Sequence, residues 1–128
     1  MQVAHFILYV SDQKRSAEFY ERTLQLKPRL NVVGMTEFEL NNGSILGLMP
    51  ESGIKKLLGD KIISPSKANG IPRSELYLVV DEPKAFHLRA IKLGAKELSP
   101  FQKRDWGHFA AYCSDMDGHI LVFASISD

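Results

Sequence analysis

The stretch His5-Phe6-Ile7-Leu8-Tyr9-Val10-Ser11-Asp12 returns, in step and without a gap, as Glu75-Leu76-Tyr77-Leu78-Val79-Val80-Asp81-Glu82. Both runs are apolar and β-prone and end in acid, the signature of a strand running into a helix start. In the first copy Ala17, Phe19, Tyr20, Thr23 and Leu24 then follow at helical spacing; Ala85, Phe86, Arg89, Ala90 and Leu93 do so in the second. Asp12 and Asp81 suit the N-cap position, where a short carboxylate accepts the free N–H groups of the first turn. Pro83 suits a first turn, and Gly94 a helix stop.

A second correspondence closes each copy. Asn42-Gly43-Ser44-Ile45-Leu46-Gly47-Leu48 parallels Asp117-Gly118-His119-Ile120-Leu121-Val122-Phe123. Asn-Gly and Asp-Gly between apolar runs signal hairpins, because such turns need positive φ. Thr36 to Leu40 and His108 to Cys113 read as the preceding strands. Each half is therefore strand, helix, then about three strands: module one over 1–50 and module two over 73–128. Residues 51–72, with Gly53, Gly59, Pro65, Gly70 and Pro72, read as a linker or covering loop, with one helical turn at Ile54 to Leu58.

The composition narrows the function classes. A length of 128 residues suits one α+β domain with an ordinary core. A net charge of +1 gives no field for nucleic acid or an anionic membrane, and Lys55-Lys56 and Lys103-Arg104 are too short to supply one. The single cysteine, Cys113, has no partner for an internal disulfide and no adjacent cation to activate it. Val3 to Val10 is too short to span a bilayer, and no signal-like start precedes it. The expected location is cytoplasmic, with neither membrane nor nucleic acid as a partner.

With Phe19-Tyr20, Gly94-Ala95, Arg104-Asp105-Trp106-Gly107 and Asp115-Met116-Asp117-Gly118-His119 in the same order, the chain resembles the vicinal oxygen chelate superfamily, which holds glyoxalases, bleomycin-resistance proteins and extradiol dioxygenases. The resemblance covers nearly everything but the linker. It implies two tandem βαβββ modules whose sheets form a curved, half-open barrel around a cavity, with helices outside. Strand alternation then turns His5, Ile7, Tyr9, Ile45, Gly47 and Met49 inward, with Glu75, Tyr77, Val79, Ile120, Val122 and Ala124. Phe6, Leu8 and Val10 should pack on the helix.

Metal-dependent relatives place ligands at positions that fall here on His5, Gly47, Glu75 and Val122. His5 and Glu75 have donor atoms; Gly47 and Val122 have none, and a slip of one residue meets only leucine or phenylalanine. Glu37, Glu39, His108 and His119 are further donors nearby in sequence, Glu37 and Glu39 on an undecided face and His119 in a turn, read as a solvated rim residue. No cofactor is expected. If a divalent ion were held (zinc, nickel, iron or manganese), His5 and Glu75 would hold it. Otherwise the two form a hydrogen-bonded pair or orient a ligand. Tyr9, Met49, Tyr77 and Trp106 either line a small-molecule pocket with these residues or fill the core, with Trp106 at a rim. The resemblance implies a homodimeric small-molecule-binding protein of the bleomycin-resistance type; the alternative is a metal-dependent lyase, isomerase or dioxygenase similar to lactoylglutathione lyase.

Overall fold

The computed structural model describes residues 1–41 and 43–127. It falls into two units, residues 1–69 and 70–128. In the first, strand β1 (Ala4–Val10) leads into helix α1 (Gln13–Leu24), then strands β2 (Leu30–Val32), β3 (Met35–Asn41) and β4 (Ser44–Pro50), and helix α2 (Glu51–Leu58). In the second, β5 (Glu75–Val79), α3 (Pro83–Lys92), β6 (Lys96–Lys103), β7 (Phe109–Ser114) and β8 (Ile120–Ser125) follow. Each sheet has four strands, in the orders β1-β4-β3-β2 and β5-β8-β7-β6. In each, the first strand runs parallel to the last and the rest are antiparallel. These are two βαβββ modules of an α+β fold.

The internal repeat is thus a repeat of topology. Asp12 caps α1 by accepting the Arg15 N–H at 3.0 Å, and Ser16, Ala17, Phe19, Tyr20, Thr23 and Leu24 form its buried face. At α3 the cap position is Glu82, not Asp81, and no side chain caps it. Pro83 at the first helical position leaves one fewer N–H to satisfy there. Gly94, at φ +115°, ends α3, with Ala95 N–H returning to Ala90 O at 2.9 Å. Gly43 has the positive φ its turn requires, +81°; Asn42 lies outside the described residues.

Alternation sorts the faces of each sheet as the sequence indicates. Leu8, Val10, Phe38, Leu46 and Leu48 are buried on the helix side of the first sheet. Phe6 shares their parity but stays 60% exposed, because the helical cover stops short of the far end of this edge strand. In the second sheet Leu121, Phe123, Ala111 and Cys113 are fully buried, and Phe86 of α3 packs on Phe123 with its ring tilted by 31° and the ring centres 5.3 Å apart.

The stretch read as a linker is substantially helical. Helix α2 occupies Glu51–Leu58, and 3-10 turns cover Gly59–Lys61 and Pro65–Ala68. Ile54 is its buried anchor. Lys55 Nζ closes the segment on the carbonyls of Gly59 and Ile62, at 2.7 and 2.8 Å. Among the described residues no helix is long and apolar enough to cross a membrane.

Candidate functional site

In the first unit the face away from the helices carries His5, Ile7 and Tyr9 from β1, Ile45, Gly47 and Met49 from β4, and Met35, Glu37 and Glu39 from β3. The registers Ile7↔Gly47, Glu37↔Gly47, His5↔Ile45 and Glu39↔Ile45 fix the rows. Glu37 and Glu39 are thereby assigned to the same face as His5. A Cβ on Gly47 would lie 3.0 Å from Ile7 Cγ1 and 3.3 Å from Met35 Sδ, so two apolar side chains already fill the space beside this position. Polar character is concentrated at one point. Glu37 Oε2 lies 3.5 Å from His5 Nδ1, and Glu37 Oε1 lies 3.1 Å from Arg29 Nε. Tyr9 and Met49 are half-buried on this face.

The second unit builds its site differently. Ala110, Val122 and Ala124 form a fully buried floor, against which Tyr77, Tyr112 and Ile120 pack. Val122 is the register partner of both Tyr77 and Tyr112, so the two phenols flank it from neighbouring strands. The loop between β6 and β7 then brings two more rings to Tyr77. Trp106 Nε1 donates to the Tyr77 hydroxyl at 2.9 Å, and that hydroxyl shares a second hydrogen bond with His108 Nδ1 at 2.8 Å. Indole N–H is a donor only, so the Tyr77 oxygen accepts from Trp106 and keeps its own proton for the imidazole or for a ligand.

Arg104 holds this loop to the sheet. Its Nε and Nη2 donate to Ala110 O at 3.1 and 2.8 Å, Nη2 also to Pro100 O at 2.9 Å, and the guanidinium lies 5.0 Å from the centre of the Tyr112 ring. Burial, then the Glu75 carboxylate, then Tyr77 push the Tyr112 hydroxyl above its ordinary range, and Arg104 opposes them. Glu75 is exposed at the start of β5. Alongside lies a cavity of about 470 Å³ lined by Leu98, Ser99, Gln102, Arg104, Trp106 and Tyr112, among others. That volume is within the range of small-molecule sites.

The structure therefore puts His5, Tyr9, Gly47 and Met49 on one face of the first sheet, and Glu75, Tyr77 and Val122 on one face of the second with Trp106 at its rim. It joins Tyr77 directly to Trp106. Tyr112 and Arg29 were not singled out from the sequence. Alternation along His108 to Cys113 would have given Tyr112 the parity of Ala110; nothing local marks Arg29. His119 corrects the sequence reading: it is 3% exposed, with Nδ1 2.9 Å from Ser74 Oγ and its N–H bonded to Asp115 Oδ1, so it braces the turn.

Of the four positions His5, Gly47, Glu75 and Val122, His5 and Glu75 alone carry donor atoms. Gly47 and Val122 have no ligating atom, a side chain at Gly47 would crowd Ile7 and Met35, and Glu37 is already bound to Arg29. Among the described residues no three His, Cys, Asp or Glu side chains are grouped as a metal site.

The profile of the Glyoxalase/Bleomycin resistance protein/Dioxygenase superfamily matches residues 2–123. The chain belongs to this superfamily. A glyoxalase-related enzyme from Fulvimarina pelagi has a similar structure, with a TM-score of 0.83 at 24% identity over 97% of this chain and 87% of that one. A glyoxalase/bleomycin resistance protein/dioxygenase family enzyme from Burkholderia phytofirmans PsJN gives 0.78 at 13% identity, covering 98% and 99%. A hypothetical protein from S. aureus gives 0.76 at 21%, covering 98% and 94%. At these identities the likeness concerns the fold alone. No curated protein matches the chain. As a glyoxalase-superfamily domain, the chain combines the expected sheets with no ligating side chain at Gly47 or Val122.

Proposed function

We propose that this protein binds a small molecule with a planar apolar body on the second-module sheet, without using a metal ion, in the manner of a bleomycin-resistance protein. The observation that carries the reading is the chain Trp106–Tyr77–His108, joined by hydrogen bonds of 2.9 and 2.8 Å over the apolar floor of Ala110, Val122 and Ala124. An apolar floor with a few fixed polar tips is the usual construction of a small-molecule site. The adjoining cavity supplies room, and the Trp106 and Tyr112 rings supply flat surfaces for an aromatic ligand.

Glu75 joins the ligand-binding set on this sheet, His5, Tyr9, Gly47 and Met49 form a second candidate binding face on the first sheet, and a homodimer is the working assembly. Trp106 is the single tryptophan of the chain, so emission excited beyond the tyrosine absorption band reports on this site. The test is a titration of the intact protein with a panel of small aromatic compounds, followed by tryptophan emission and thermal melting. Saturable quenching with a raised melting temperature is expected for at least one class. A panel that shifts melting without altering emission would place the ligand elsewhere.

A further inference from the structure

The first unit holds a separate polar cluster that the Trp106 site does not use. Glu37 stands on β3 and His5 on β1, with β4 between them. Two sheet spacings separate these strands by about 10 Å. The β4 residue opposite Glu37 is Gly47, which puts no side chain in the path, and the glutamate reaches across to His5. Its carboxylate side chain is 11% exposed, against 34% for the imidazole. Arg29 is attached to the same glutamate twice, by Nε to Oε1 at 3.1 Å and by its main-chain N–H to Glu37 O at 2.8 Å.

We infer that His5 is a proton-accepting site for a ligand with an acidic hydroxyl, a phenol or an enol, and that Glu37 and Arg29 are its positioning residues. The argument is one of direction. A carboxylate only accepts, so the neutral tautomer it favours carries the hydrogen on Nδ1, the nitrogen 3.5 Å from Glu37 Oε2. In the neutral ring the lone pair then belongs to Nε2, on an imidazole that is 34% exposed as a whole. A buried carboxylate that fixes the tautomer of a more exposed imidazole is the arrangement used to orient a base.

The transfer balances within the site. The ligand O–H bond breaks, its electron pair stays on the oxygen, and a new N–H bond forms at Nε2. Neutral phenol and neutral imidazole become phenolate and imidazolium. Glu39, exposed on the same face, is the remaining charged group in these rows. Ile7, Ile45 and Met35 supply apolar surroundings in which the ion pair is poorly screened.

The probe is 4-nitrophenol, whose anion absorbs visible light and whose neutral form does not. It is titrated with the full-length protein at a pH where the free phenol is mostly protonated. Saturable appearance of the phenolate band is expected. His5→Asn should abolish it, and Glu37→Gln should weaken binding by about tenfold or more, with the far-ultraviolet circular dichroism of both unchanged. Absence of the band with wild-type protein, or its persistence in His5→Asn, overturns the inference. If either variant fails to fold, ¹⁵N NMR of the wild-type imidazole decides: Nδ1 protonated and Nε2 bare is expected, and the opposite tautomer overturns the inference. The phenolate readout comes from the first unit and the tryptophan readout from the second, so failure of one leaves the other standing.

Discussion

Trp106 donates its indole N–H to the hydroxyl of Tyr77, 29 residues earlier in the chain, at 2.9 Å. The bond ties an exposed loop ring to a strand residue on the apolar floor. It also commits one lone pair of the Tyr77 oxygen, so the orientation of the hydroxyl is set before any ligand arrives.

Tyr77→Phe removes the shared hydroxyl while keeping the ring against Val122. Trp106 Nε1 and His108 Nδ1 then lose a partner each. The expected cost is about 1 kcal/mol, because both groups retain some access to water. Ligand affinity should fall more than stability does. Chemical denaturation and a binding titration of the same variant measure the two effects; equal affinity for both proteins would place the hydroxyl outside the site.

Gly47→Ala tests the crowding beside β4. The new methyl would press on Ile7 Cγ1 and Met35 Sδ. Overpacking of this kind costs about 1–3 kcal/mol. Ile7→Val in the same background should recover part of the loss. A neutral Gly47→Ala by urea denaturation would show that the face has slack.

Cys113 is fully buried, its thiol donating to Leu121 O at 3.5 Å. Burial, then Asp115 and Glu97, push its thiol up to about 12 from 9.0. The native state thus keeps the proton where the unfolded chain releases it. Stability from this group is intact below pH 9 and declines between pH 9 and 12. Cys113→Ala should show a shallower loss of stability across that window. Native protein at neutral pH should resist alkylation until denaturant is added; rapid labelling without denaturant would contradict the buried placement.

Purified without chelator or an affinity tag, the protein should carry well under one equivalent of zinc, nickel, iron or manganese. Gly47 and Val122 provide no donors, and Glu37 is held by Arg29. Elemental analysis checks this. Stoichiometric metal that disappears in His5→Ala would refute the metal-free reading.

The sequence made the two modules legible because their determinants are local. Strand alternation, the Asp12 cap and the Gly94 stop each act within a few residues. The same logic correctly faced Leu8, Val10, Tyr77 and Val122. What it missed depends on distant partners. Helix α2 has no side-chain cap and contains Ser52-Gly53, so its propensity is poor; Ile54 burial and the Lys55 clasp hold it. His119 looks solvated in its turn until Ser74, 45 residues away, supplies its partner. Asp81 read as a cap because it closes an apolar strand run, yet Asp12 corresponds in the repeat to Glu82; α3 starts at Pro83 in step with Gln13, and β5 ends one residue short of β1. The His5–Glu37–Arg29 cluster required the β3–β4 register, which no short motif encodes.

The most direct measurement of the central claim is the indole Nε1–H resonance of Trp106 in a ¹H–¹⁵N correlation spectrum, which contains one such signal because the chain has one tryptophan. Addition of an aromatic ligand already shown by calorimetry to bind should shift that resonance, with saturation at the calorimetric Kd, and Tyr77→Phe should change its starting position. A ligand that binds by calorimetry yet leaves the Trp106 resonance unmoved would contradict a site on the second-module sheet.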